Sequence, residues 1–191
     1  MKGMDQTQVQ SLLDLLRDRN FVIVGVGNPM RGDDGVGSLI AGQLSQFHPD
    51  RVFDAGAVPE NFLGPILNKR PSVCLFVDAV DFGGQPGDWQ LVSLSDLEDK
   101  LPTTHTLSLS LLGQLLEEAD IQCWVLAIQP QQIAFGAPLS NPVNKVKNEV
   151  IHLLKGILDD QGQMQETKKN GNHQFQEKER TEEGKKEGEQ R

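Results

Sequence analysis

Residues 72–80, SVCLFVDAV, are apolar at seven of nine positions. A run that long without alternation fits a β-strand covered on both faces, the situation of an inner strand in a parallel sheet. QCWVLAIQP (122–130) repeats the signal, and FVIVGV (21–26) precedes a glycine-rich loop. Two weaker strands flank these: RVFDAG (51–56), and GDWQLVSL (87–94), whose alternation suits an edge. Segments at helical spacing separate them. Val9–Leu16 is one, and a helix is predicted from Val36. PENFLGPILNKR (59–70) reads as a helix with proline in its first turn. LSLSLLGQLLEEA (107–119) has period two in its first half and 3.6 in its second; the leading PTTH and the closing EEA favour a helix. SNPVNKVKNEVIHLLKGIL (140–158) reads as a helix capped by Ser or Asn. Strands alternating with helices predict an α/β fold of three layers around a largely parallel sheet. No internal repeat is visible.

The composition changes near Asp159. From Gln161 to the end there is one aromatic residue and almost no aliphatic one. That segment holds seven acidic and seven basic residues, so the net charge of −9 belongs to residues 1–160. Such a segment buries too little apolar surface to offset its ordering entropy. The expected organisation is a helical N-terminal extension at 1–20, one domain at 21–158 and a charged, disordered tail at 159–191. An acidic body does not attract a phosphate backbone, which argues against nucleic acid as a partner. No apolar run approaches the roughly 20 residues that span a bilayer. The N-terminus lacks a signal peptide's apolar core, and a cytoplasmic protein is expected. Cys74 and Cys123 sit inside apolar runs and form no CxxC pair. They read as buried, reduced thiols.

The first strand leads into GVGNPMRGDDGVG (25–37). The dinucleotide fingerprint G-x-G-x-x-G fails here, because its third glycine falls on Met30, and no P-loop GK[ST] follows. Asp33 and Asp34 would repel a phosphate from the helix start. One of the two is expected to cap the helix from Val36; the second carboxylate needs another reason. In parallel sheets, ligands gather at the carboxyl ends of strands. Asp78 closes the strand at 72–80, and His105 lies in the TTH loop (103–105) leading to the helix at 107–119. Asp34, Asp78 and His105 together make a two-carboxylate, one-imidazole set. Such a set suits a divalent transition metal such as nickel, zinc or iron, with coordination positions left open. Without HExxH or clustered Cys and His, it does not read as a permanent zinc site. It fits a metal that arrives with a partner.

Five segments carry a family resemblance: GVGNPMRGDDGVG, DAGAVPEN (54–61), LFVDAVD (75–81), TTHTLSLSLL (103–112) and AIQP (127–130). In this order and spacing the chain resembles the hydrogenase maturation endopeptidases, which trim the large subunit of NiFe-hydrogenases. It looks most like the HycI branch, which processes the formate hydrogenlyase type. The resemblance implies an α/β/α sandwich of the phosphorylase/hydrolase-like kind, around a five-stranded, mostly parallel twisted sheet. It implies a peptidase that removes a short C-terminal extension from the large-subunit precursor after nickel insertion. The family's metal-contacting residues fall on Asp34, Asp78 and His105, which are also the expected catalytic group. The nickel is carried by the substrate, and no permanent metal is expected in the free enzyme. Asp33, Gly27, Gly32, Gly35 and Asp54 are expected to shape the loops, and Thr104 to orient His105 or cap the helix. No G-x-S-x-G elbow is present. The alternatives are a non-cleaving checkpoint protein that binds the nickel-loaded large subunit, a nucleotide-binding α/β protein, and a peptidase acting on an unrelated protein.

Overall fold

Five strands build one sheet: β1 (Phe21–Val26), β2 (Val52–Gly56), β3 (Val73–Ala79), β4 (Trp89–Ser93) and β5 (Gln122–Ile128). Their order is β2-β1-β3-β5-β4. β1 runs parallel to β2 and β3, and β3 parallel to β5; only β4, at one edge, is antiparallel to its neighbour. The computed structural model describes residues 5–96 and 106–162. The chain divides into two units, Met1–Lys155 and Gly156–Arg191. The described part of the second, 156–162, is helical. The longer helices among the described residues of the first unit are α1 (Gln6–Leu16), α2 (Val36–Leu44), α3 (Leu63–Lys69), α4 (Thr106–Glu117) and α5 over 141–155. No helix among the described residues is long and apolar enough to cross a membrane.

β1 and β3 are buried along their whole length, as apolar runs without alternation require. Their side chains divide by parity. Val22, Val24, Val26, Cys74 and Phe76 share one core cluster with Ile66 of α3 and Leu109, Leu112 and Leu116 of α4. Gly25, of the other parity, lies against Gly37 and Ala41 of α2. Helices therefore cover both faces, and three layers result. α1 joins the edge strand, where Gln8 Oε1 accepts the Leu91 N–H at 2.9 Å.

Two local expectations are corrected. Residues 59–70 are not one α-helix: a 3-10 turn (Pro59–Phe62) precedes α3. Pro65 has no N–H to donate to Asn61 O, so an α-helical bond cannot be made there. Nor does Asp33 or Asp34 cap the helix from Val36. Residues Gly32–Gly35 form their own 3-10 turn, and the N-cap of α2 is Gly35, which has no side chain to offer.

α2 can lie close to the sheet only because residue 37 has no side chain. A Cβ there would stand 1.9 Å from Val77 O and 2.4 Å from Val26 O. The helix start is thus pressed onto the carboxyl ends of β1 and β3. Gly37→Ala must push the helix off backbone atoms, a cost of about 2–3 kcal/mol for overpacking. Thermal unfolding of this variant is expected at a midpoint roughly 5–10 °C lower; an unchanged midpoint contradicts this packing.

Candidate functional site

Asp33 and Asp34 are adjacent in sequence and buried, at 0% and 1% exposure, but they do different things. Asp33 turns towards the chain that follows β5. Its Oδ2 accepts the N–H groups of Gln131 (2.8 Å) and Gln132 (3.0 Å), and its Oδ1 accepts that of Ser140 (2.7 Å). Its own N–H donates to Gln132 O at 2.9 Å. A carboxylate removed from water is costly unless hydrogen-bonded. Three backbone donors, each worth about 1.5–3 kcal/mol to a charged acceptor, offset that cost. Asp33 is therefore a fastener between two loops about a hundred residues apart in sequence, as its expected loop-shaping role requires.

Asp34 contacts its own loop. Its Oδ2 accepts the Asn28 N–H at 3.0 Å, while Asn28 Oδ1 accepts the Met30 N–H at 2.9 Å. Gly27 makes room for this turn. It has φ +130°, and a Cβ on it would meet Asp34 O at 1.8 Å. Asp54, on β2, accepts the Gly56 N–H at 3.2 Å, again a loop-shaping contact.

Asp78 is fully buried near the end of β3, paired in register with Ala127, and its Oδ1 accepts the Ala79 N–H at 2.8 Å. It has the parity of Cys74 and Phe76, whose side chains lie in the cluster with α3 and α4. Gly37, three residues after Asp34, rests on Val77 O, one residue before Asp78. The structure thus brings Asp34 and Asp78 to the same end of the sheet, from neighbouring strands. His105 and Thr104 lie outside the described residues, immediately before the start of α4 at Thr106. Among the described residues, no group of three His, Cys, Asp or Glu side chains is placed to hold a metal ion.

Gln129 is a participant whose role the sequence does not declare. Its buried Oε1 accepts the N–H groups of Phe82 and Gly84, both at 3.0 Å, and its Nε2 donates to Asp81 Oδ1 at 3.0 Å. Gln129 thereby fixes the chain leaving β3. Its hydrogen bond, with that of the Gly83 N–H, holds the Asp81 carboxyl below its ordinary value. The available signal was a lone amide at the end of the apolar run WVLAIQ, since a buried polar side chain is informative where an apolar one is not.

Cys74 and Cys123 are register partners on β3 and β5, both buried and free. Burial, then the neighbouring Cys123, pushes the Cys74 thiol well up. Burial, then Glu117, pushes Cys123 up to about 12. Neither offers a thiolate nucleophile near neutral pH.

Residues 36–157 match a family model described as hydrogenase maturation protease. The chain is 34% identical over 138 residues to the hydrogenase 3 maturation protease of Escherichia coli K12, covering 71% of this chain and 88% of that protein. It also resembles the crystal structure of the NiFe hydrogenase maturation protease HycI from Thermococcus kodakarensis. That likeness has a TM-score of 0.67 at 26% identity, over 78% of this chain and 99% of the other. The solution structure of the endopeptidase HycI from Escherichia coli superposes with a TM-score of 0.63 at 33% identity, over 72% of this chain and 90% of the other.

Two outcomes are expected. Asp33→Ala strands three backbone donors and lowers stability by about 3 kcal/mol or more. In hydrogen exchange, the amides of Gln131, Gln132 and Ser140 lose protection first; retained protection contradicts the fastener. Iodoacetamide at pH 8 labels neither cysteine until the protein is unfolded; labelling of the native protein contradicts the assigned burial of the thiols.

Proposed function

The chain belongs to the hydrogenase maturation protease family, and on that premise we propose that its substrate is a nickel-loaded NiFe-hydrogenase large-subunit precursor, from which it cuts a short C-terminal extension. The nickel is the substrate's cargo and is recognised by Asp34, Asp78 and His105. The observation that carries this reading is the arrival of Asp34 and Asp78, both buried, from the ends of two adjacent strands, while the neighbouring Asp33 is committed to backbone donors. Asp34 and Asp78 provide hard anionic oxygen, His105 an imidazole nitrogen, and this donor chemistry suits a divalent transition metal. Carboxylates shielded from bulk water attract a cation more strongly than exposed ones do. The peptidase domain is assigned to residues 21–158, with 1–20 as a helical extension and 159–191 as a tail. The reaction is placed in the cytoplasm, where two free cysteines side by side remain reduced.

Hydrolysis needs an activated water, a polarised carbonyl and a proton for the leaving amine. With the nickel seated, the scissile bond is held at a fixed distance from the same carboxylates. One of the two, or a water it holds, takes the proton of the attacking water and returns it to the departing amine as the C–N bond breaks. The cysteines take no part, because their thiols stay protonated.

Asp34→Asn, Asp78→Asn and His105→Ala are each expected to reduce kcat/KM for the nickel-loaded precursor by about a hundredfold or more, the range for loss of a positioned acid–base or charge-stabilising group. Mass spectrometry of the precursor C-terminus follows the cleavage. Wild-type rates in all three variants contradict the assignment.

A further inference from the structure

We propose that the loops after β1 and β5 form one docking rim, carrying Met30, Ile133 and Phe135, which seats an apolar segment of the precursor polypeptide beside Asp34. The inference rests on the peptidase reading and adds to it where the protein substrate is gripped.

The first observation is exposure. Phe135 is 77% exposed, Met30 58% and Ile133 39%. Eight large apolar side chains are exposed among the described residues. Four of them, these three and Val58, sit in loops leaving the carboxyl ends of β1, β2 and β5, the end that holds Asp34 and Asp78. The other four are scattered over α3, α4 and the turn after α2, whereas Met30, Ile133 and Phe135 lie on two loops that are hydrogen-bonded to each other, and exposed apolar side chains brought together mark a surface for another molecule.

The second observation is rigidity. Gly136 N–H donates to Met30 O at 2.7 Å, and Asp33 N–H to Gln132 O at 2.9 Å. The Asp33 carboxylate holds Gln131, Gln132 and Ser140. Gln132 Nε2 donates to Pro138 O at 3.1 Å, which closes the second loop on itself. Because β3 separates β1 from β5, the two loops meet past the carboxyl end of β3. Met30 and Phe135 are therefore presented outward from a fixed frame, and docking onto them loses little loop entropy. Met30 lies in the same loop as Asp34, four residues before it, which places the rim beside that carboxylate.

The third observation is chemical type. Flexible Met and flat Phe adapt to varied apolar side chains. The carboxylates of Asp33 and Asp34 are buried, so the rim offers the apolar side chains of Met30, Ile133 and Phe135 with the exposed Arg31 beside them, and no negative charge from the aspartate pair. The occupant that fits is an apolar stretch of the same chain that is cut.

The test compares Met30→Ser, Phe135→Ser and their combination with wild type and with Phe47→Ser, an exposed residue in the turn before β2, at the opposite end of the sheet from the strands' carboxyl ends. Nickel-loaded large-subunit precursor is the probe. Cleavage is followed by mass spectrometry and binding by interferometry. The double variant is expected to raise KM and Kd by about tenfold or more, the effect of losing central apolar anchors, with kcat and the unfolding midpoint unchanged. Phe47→Ser is expected to behave as wild type. Unchanged KM and Kd in the rim variants overturn the proposal, as does a fall in kcat at constant KM. Wild-type protein that binds without cutting contradicts the peptidase reading, while the rim is still judged on Kd. Wild-type protein that neither binds nor cuts overturns both.

Discussion

The buried carboxylate of Asp33 is the contact on which the site depends. It joins the chain after β1 to the chain after β5 through three backbone donors, 98, 99 and 107 residues away. A carboxylate without water or partners is among the costliest groups to bury. Fully satisfied, it instead prescribes one arrangement of both loops, because backbone N–H groups cannot be moved without moving the chain. Two consequences follow. The Asp33 carboxylate is committed to backbone donors, and its neighbour Asp34, whose Oδ2 accepts the Asn28 N–H, is set at the end of the sheet.

The sheet supplies the other half of the constraint. β3 lies at its centre, so the ending of β3 delivers Asp78 between the loops that Asp33 joins. Gly37 lets α2 approach Val26 O and Val77 O, which brings the Asp34 loop onto the same strand ends. Gln129 holds the chain after β3 from the side of β5. Each of these contacts has a backbone group or a glycine on at least one side, so the fold itself sets where the carboxylates stand. That is the preorganisation a site needs if it is to receive a metal held by another protein.

The inner strands were legible in the sequence because burial on both faces leaves no alternation, as SVCLFVDAV shows. The ambiguous segment at 107–119 resolves as α4, so its 3.6 period outweighed its opening alternation. The division of labour between Asp33 and Asp34 was legible only as a type of role. Sequence placed one carboxylate in loop shaping, but the partners of Asp33 are distant backbone atoms that no local pattern reveals. The expected helix cap failed for a local reason: α2 begins at Val36 as expected, but the GDDG segment closes its own 3-10 turn and leaves Gly35, not an aspartate, at the N-cap. Gln129 was visible as a residue but not as a fastener, because its partners lie on a separate loop. His105 belongs to the expected set by motif alone.

The central claim is that this peptidase acts on a precursor whose nickel it reads through Asp34, Asp78 and His105. The most direct measurement mixes the purified protein with nickel-loaded and nickel-free forms of one large-subunit precursor and follows mass loss at the C-terminus. Cleavage of the loaded form alone is the predicted result. Equal cleavage of both forms would contradict nickel recognition.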